Sequence, residues 1–150
     1  MKVADIIRSK GSDVHTIHVD AIISDALRLL NEKRIGALIV VDDHQEIRGI
    51  VTERDILRNC YECRHANIKG VAIEDVMTAR EKLVVCDLDD DIDSIMGTMT
   101  TQRIRHLPVV DQAGALLGII SVGDVIKILL THKDHEIRYL KDYIENKYPV

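Results

Sequence analysis

The chain has 150 residues, a formal net charge of −5 and a hydrophobic fraction of 46%, the makings of one ordinary domain or two very small ones. Aromatic residues are only 3%, all Tyr, so the core must be aliphatic and little is available to stack on bases. With the negative charge this argues against a nucleic acid or an anionic membrane as partner, and no apolar run approaches the roughly 20 residues of a membrane span. In chain order, the pattern predicts a short helical lead-in and then a strand at 14–17. A helix over 22–33 follows, with Ile22, Ile23, Ala26, Leu27, Leu29 and Leu30 at helical spacing and Asp20 or Ser24 to cap it. Residues 37–51 read apolar, polar turn, apolar, which is a strand pair, and a second helix covers about 53–63. The order then recurs: lead-in, strand at 83–86, helix at 91–101, strand pair over 107–120, helix at 122–131. Residues 133–147 continue as helix, with Ile137, Leu140, Tyr143 and Ile144 as a stripe for the modules or a partner subunit.

The recurrence is a true repeat. At an offset of 69, eleven of the 46 pairs from Val14/Leu83 to Asn59/Ile128 are identical, among them Asp20/Asp89, Arg34/Arg103, Gly49/Gly118 and Asp55/Asp124. The lead-in recurs with one residue of slip, VADII (3–7) against IEDVM (73–77). Two similar modules are expected to pack together, since neither half supplies enough core to stand alone. The expected fold is α+β: two β-α-β-β-α modules related by pseudo-twofold symmetry. The domain limits read as 1–69, 70–131 and a C-terminal helix over 132–150.

RGIVTERDI (48–56) and LGIISVGDV (117–125) lie at the same place in the repeat. Each is a glycine, an aliphatic strand end, then Ser/Thr-x-x-Asp. One such motif is a weak signal, but two in register are a strong one. On these motifs the chain resembles a tandem CBS-domain pair, or Bateman module, the nucleotide-sensing unit also found appended to IMP dehydrogenase, AMP-activated kinase and chloride channels. RIRHLPVVD (103–111) and the closing helix resemble a stand-alone bacterial subgroup. The resemblance covers nearly the whole chain, so no fused catalytic or DNA-binding domain is expected. It implies a non-catalytic regulatory module that binds an adenine nucleotide, AMP first. ADP, ATP, S-adenosylmethionine and NAD/NADH occupy the same cleft in the family, and NAD(H) is the runner-up. It also implies a homodimer that acts on an effector protein. The competing class is a ligand-free structural or protein-interaction module.

Carried over residue by residue, the resemblance assigns Thr52, Arg54 and Asp55 to a first site, with Val14, His15 and Ile17 near the base. It assigns Ser121 and Asp124 to a second, with Val84, Arg105, His106 and Pro108 around the ligand. The chemistry fits: a helix start suits a phosphate, a hydroxyl can donate to it, and an ionised Asp accepts two hydrogen bonds from vicinal ribose hydroxyls. The second phosphate of NAD(H) would use Arg54 or Arg105. A plainer reading stands beside this one, in which Thr52 or Ser121 caps the next helix and Glu53, Asp55 and Asp124 are favourable first-turn charges. Both can hold at once. The modules differ at Glu53-Arg54 against Val122-Gly123 and at 36–39 against 105–108, so the two sites are not expected to bind alike. Arg34 and Arg103 either bridge helix and strand or face a pocket mouth. The acids at 87, 89, 90, 91 and 93 either serve a helix start or face a cleft, where they would repel polyphosphates and favour AMP over ATP.

Three cysteines leave one over from any disulfide framework, and the charged N-terminus is not read as a secretory signal, so a reduced, cytoplasmic setting is expected. Cys60, Cys63 and His65 fall short of a four-ligand metal site. No nucleophile and base stand out, so no catalytic residue is assigned.

Overall fold

Both halves are built on a hairpin of aliphatic strands. The computed structural model describes residues 1–62 and 67–147. In the first half, β2 (Ala37–Val41) is buried at every position, as a strand covered on both faces must be. It pairs antiparallel with β3 (Ile47–Thr52) and parallel with β1 (Thr16–His18), while β4 (Thr78–Ala79) joins the outer edge of β3. The sheet order is β1-β2-β3-β4. In the second half, β5 (His106–Val110) and β6 (Leu116–Ser121) form the equivalent hairpin. The repeat is kept in the register: Leu38 opposes Val51 as Leu107 opposes Ile120, and the ladder shifts at Val40/Val41 as at Val109/Val110. The turns match too. Asp42 accepts from the N–H groups of His44 and Glu46, and Asp111 from those of Ala113 and Ala115.

Helices α1 (Val3–Lys10), α2 (Ile23–Lys33), α3 (Glu53–Tyr61), α4 (Ile92–Gln102) and α5 (Val122–Lys147) cover the sheets, completing the expected α+β fold. Three findings depart from expectation. The strand at 83–86 reduces to one bridge, Cys86 to Val109, because the Asp87 N–H is taken by the Asp90 carboxylate (2.8 Å) and the chain turns away. Neither Asp20 nor Ser24 caps α2: Ile22 is the cap residue, and the Asp25 carboxylate accepts its N–H instead (3.2 Å). Finally, α3 ends at Tyr61, and Cys63 and His65 lie outside the described residues.

The lead-ins are exchanged between the halves. From α1, Val3 and Ile6 enter the core of the second half with Ile92, Ile95, Met99, Leu107, Val109, Ile120 and Val125. Reciprocally, Ile73 enters the first-half core with Ile23, Leu38, Val40 and Val51. The hydrogen bonds obey the same symmetry: Val3 N–H donates to the Asp90 carbonyl and Ile92 N–H to Met1, just as Ile73 N–H donates to Ala21 and Ile23 N–H to Val71. A third cluster joins the halves, with Ile39, Val41, Ile47 and Ile50 packed against Val14, Leu83, Val110, Leu116 and Ile119. Four of its pairs, Val14/Leu83, Val41/Val110, Ile47/Leu116 and Ile50/Ile119, are repeat partners, as an interface about a pseudo-twofold axis requires.

Candidate functional site

Each Ser/Thr-x-x-Asp motif closes on itself at the junction of strand and helix. The Thr52 hydroxyl accepts from Asp55 N–H (3.2 Å), while the Asp55 carboxylate accepts from Thr52 N–H and its hydroxyl (both 2.9 Å). Ser121 and Asp124 repeat this at 3.2, 2.8 and 2.9 Å. This is a reciprocal cap that satisfies orphan donors at the helix start, so the capping reading holds. It leaves the second carboxylate oxygen, Oδ1, unused by either cap, and both Asp side chains line clefts between the halves.

The first cleft, about 500 Å³, brings Thr52, Arg54 and Asp55 together with Val84, Arg105 and His106. The second, about 370 Å³, joins Ser121 and Asp124 to His15 and again His106. The grouping differs from the one carried over from sequence: Val84 and Arg105 lie with Thr52 and Asp55, His15 lies with Ser121 and Asp124, and His106 borders both clefts. Val14 packs in the central interface, Ile17 is buried in the first-half core, and Pro108 is buried in β5. These three line neither cleft. The physical reason is the pseudo-twofold packing, which turns the N-terminal side of each module toward its partner's motif.

The clefts differ in charge. The first is lined by Arg54, Arg58, Lys82, Arg103 and Arg105 against Glu53 and Asp55. The second has Lys10 and Arg34 against Asp13 and Asp124, with His15 and His106 as titratable neighbours. Of the cations, only Arg54 was assigned to the first site from sequence, and Arg105 was assigned to the other. Arg34 and Arg103 share one conformation, the left-handed cap of α2 and α4 at φ 54° and 55°, and each lines a cleft. That repeated pair was a legible signal; Arg58, Lys82 and Lys10 had none. Arg54 also donates to the Arg103 carbonyl (2.9 Å), tying α3 to the end of α4.

Burial pushes the His106 pKa below its usual value, and the Arg105 cation adds to the effect, so the ring is neutral near pH 7. It packs on Gly36, where an added Cβ would lie 3.1 Å from the ring Cε1. Burial by itself would raise the Asp124 pKa, but hydrogen bonds from Lys10 and Ser121 outweigh it and hold the carboxyl below the usual range. The acids at 87–93 line neither cleft. Asp87 and Asp90 bond the backbone at the turn before α4, and Asp91 pairs with Lys2 at 3.6 Å. Of the two readings of these acids, the one at the helix start holds, and the repulsion of polyphosphates that a cleft-facing run would exert does not arise. Among the described residues no cluster of three or more His, Cys, Asp or Glu could hold a metal. Cys60 is exposed, and burial, with Asp90 and Asp87, pushes the Cys86 thiol up to about 12.

The family model of the CBS domain matches twice, over residues 3–62 and 73–131. The chain is 31% identical over 152 residues to the mitochondrial CBS domain-containing protein CBSX3 of Arabidopsis thaliana, spanning 97% of this chain and 73% of that one. A CBS-domain containing protein from Agrobacterium tumefaciens, solved by crystallography, is 36% identical with a TM-score of 0.78, over 84% of this chain and 91% of that one. CBSX2, solved in complex with AMP, is 28% identical at a TM-score of 0.72, over 88% and 98%. A CBS domain pair solved with methylthioadenosine and S-adenosyl-L-methionine is 26% identical at 0.73, again over 88% and 98%. One match falls on each half of the repeat, and relatives align along almost the whole length: the chain belongs to the CBS-domain family as a tandem pair.

Proposed function

We propose that this CBS pair is a non-catalytic regulatory module that binds an adenine nucleotide, AMP first, in the cleft of Thr52 and Asp55. The observation that carries this reading is the lining of that cleft. Two carboxylates, Glu53 and Asp55, both free of ion pairs among the described residues, face five cationic side chains across about 500 Å³. Asp55 accepts the ribose hydroxyls, and the guanidinium groups of Arg54 and Arg105 hold the phosphate bidentately. Adenine lies against Ile50, Leu83, Val84 and Ile104, gripped by aliphatic contact rather than stacking. The relative solved with AMP supports the choice. The excess of cations also favours NAD(H) as the second reading, since Arg54 and Arg105 line the same cleft and can divide two phosphates between them. A homodimer built on the exposed helical stripe would pass ligand occupancy to an effector protein in a reduced, cytoplasmic compartment.

Calorimetric titration with AMP, ATP, NAD+ and NADH tests this. AMP should give saturable heat, and Asp55→Ala should weaken it by at least about tenfold, the loss of one charged hydrogen-bond partner. Absence of heat and of mutual competition with all four ligands would sink the reading.

A further inference from the structure

The two Asp residues of the repeated motif do not stand in the same state. Among the described residues, Asp55 hydrogen-bonds only with its own cap partner, Thr52. Asp124 makes the same contacts with Ser121 and one more: the Lys10 ammonium, from the last turn of α1, donates to its Oδ2 at 2.7 Å. The same ammonium donates to the Ile119 carbonyl at 2.9 Å. Lys10 is held here for a structural reason. In the first half, β4 pairs with the outer edge of β3 at Gly49 and Ile50. In the second half, β6 has no outer strand among the described residues, because the matching segment is the end of helix α1. The Ile119 carbonyl on that open edge is taken by the lysine instead. By the one-residue slip of the lead-ins, the counterpart of Lys10 is Arg80, which bonds the Ile47 carbonyl (3.4 Å) and does not reach Asp55.

We propose that Lys10 is an internal occupant of the second cleft: its ammonium sits on the carboxylate that a ribose would engage, so the first cleft loads first and the second accepts nucleotide only with the lysine withdrawn. The proposal rests on the nucleotide reading above and adds the order in which the clefts fill. Oδ2 of Asp124 accepts from Lys10 as well as from the cap, so a ribose whose two hydroxyls span both carboxylate oxygens must displace the ammonium from a carboxylate that is 23% exposed, whereas one entering the first cleft meets a carboxylate with no ion-pair partner among the described residues. Charge works in the same direction. Lys10 and Arg34 balance Asp13 and Asp124 in the second cleft, while five cations face two acids in the first. The first cleft thus attracts an anion and the second does not. A pair of unequal clefts gives a graded sensor, with one site filled at low ligand concentration and the other, if at all, at high.

Equilibrium dialysis with labelled AMP, which reads sites per chain, decides the matter. The set is wild type, Lys10→Met, Lys10→Gln, Asp55→Ala and the Lys10→Met/Asp55→Ala double variant. Lys10→Gln keeps a donor for the Ile119 carbonyl while dropping the charge, so it guards against a loss of folding in the methionine variant. The expected result is one tight site in wild type and a second site at least about tenfold tighter in both lysine variants. The Asp55→Ala protein should lack the tight site, and the double variant should recover a single site at Asp124. Equal loading of two sites in wild type would overturn the lock and leave the nucleotide reading standing. So would a second site that weakens when Lys10 is replaced, which would make Lys10 a ligand contact. Absence of AMP binding in every protein would remove the nucleotide reading and the lock together.

Discussion

At the scale of single residues, the repeated glycine pair has a packing role. Gly49 lies under the exchanged lead-in: a Cβ there would run into the Thr78 carbonyl and come within 3.0 Å of Met77 Sδ. At Gly118 the first obstacle is the Cδ1 end of Ile7, at 2.7 Å. Ile7 and Met77 are repeat partners, so both glycines seat the same position of the opposite lead-in. Backbone cannot yield as a terminal methyl can, so Gly49→Ala should cost about 1–3 kcal/mol in denaturant unfolding and Gly118→Ala less than about 1 kcal/mol. An equal cost at both would refute the distinction. His106 makes a second prediction. Its folded pKa lies below the unfolded value of about 6.5, so the unfolded chain takes the proton first. Its contribution to stability is complete above that unfolded value and is lost as pH falls through the folded one. Midpoints measured from about pH 8 to pH 5 should fall less steeply in His106→Gln than in wild type. The Ser/Thr-x-x-Asp pair was fully legible at this scale because the cap is local in sequence. Lys10 was not, because its partner is 114 residues away.

At the scale of elements, aliphatic runs and turn residues placed both hairpins correctly, and the Asp turns closed as the residues indicated. The short pieces were harder. The two-residue β4 carries no periodicity and exists because the edge of β3 and Gly49 admit it. The strand at 83–86 failed for the opposite reason, since its apolar run Leu83-Val84-Val85-Cys86 was sound but an Asp–backbone bond ended the ladder at Cys86. Helix α5 shows where packing ends: Val125 is fully buried, yet residues 131–144 are exposed throughout, including Ile137, Leu140 and Ile144. Truncation after residue 131 should therefore change the stability of the monomer by less than about 0.5 kcal/mol. A loss above about 2 kcal/mol, dependent on protein concentration, would show that the distal turns are covered by a second copy.

At the scale of the molecule, exchange of the lead-ins makes the halves mutually dependent. Ile6, 2% exposed, belongs to the second-half core although it lies at the start of the first. Ile6→Ala should lower one cooperative transition as a whole, by about 2–4 kcal/mol. Two resolved transitions in calorimetry would refute the interdependence. By itself the sequence determined the repeat, the α+β class, the two capped motifs and the aliphatic character of core and clefts, because periodicity, turn chemistry and capping act over a few residues. Only the tertiary structure decided that each lead-in serves the opposite half, that each cleft is completed by the other half's approach to its hairpin, and that one Asp is open while the other holds a lysine. Those outcomes depend on which segments the pseudo-twofold axis brings together, and that contact information is not local to any stretch of chain.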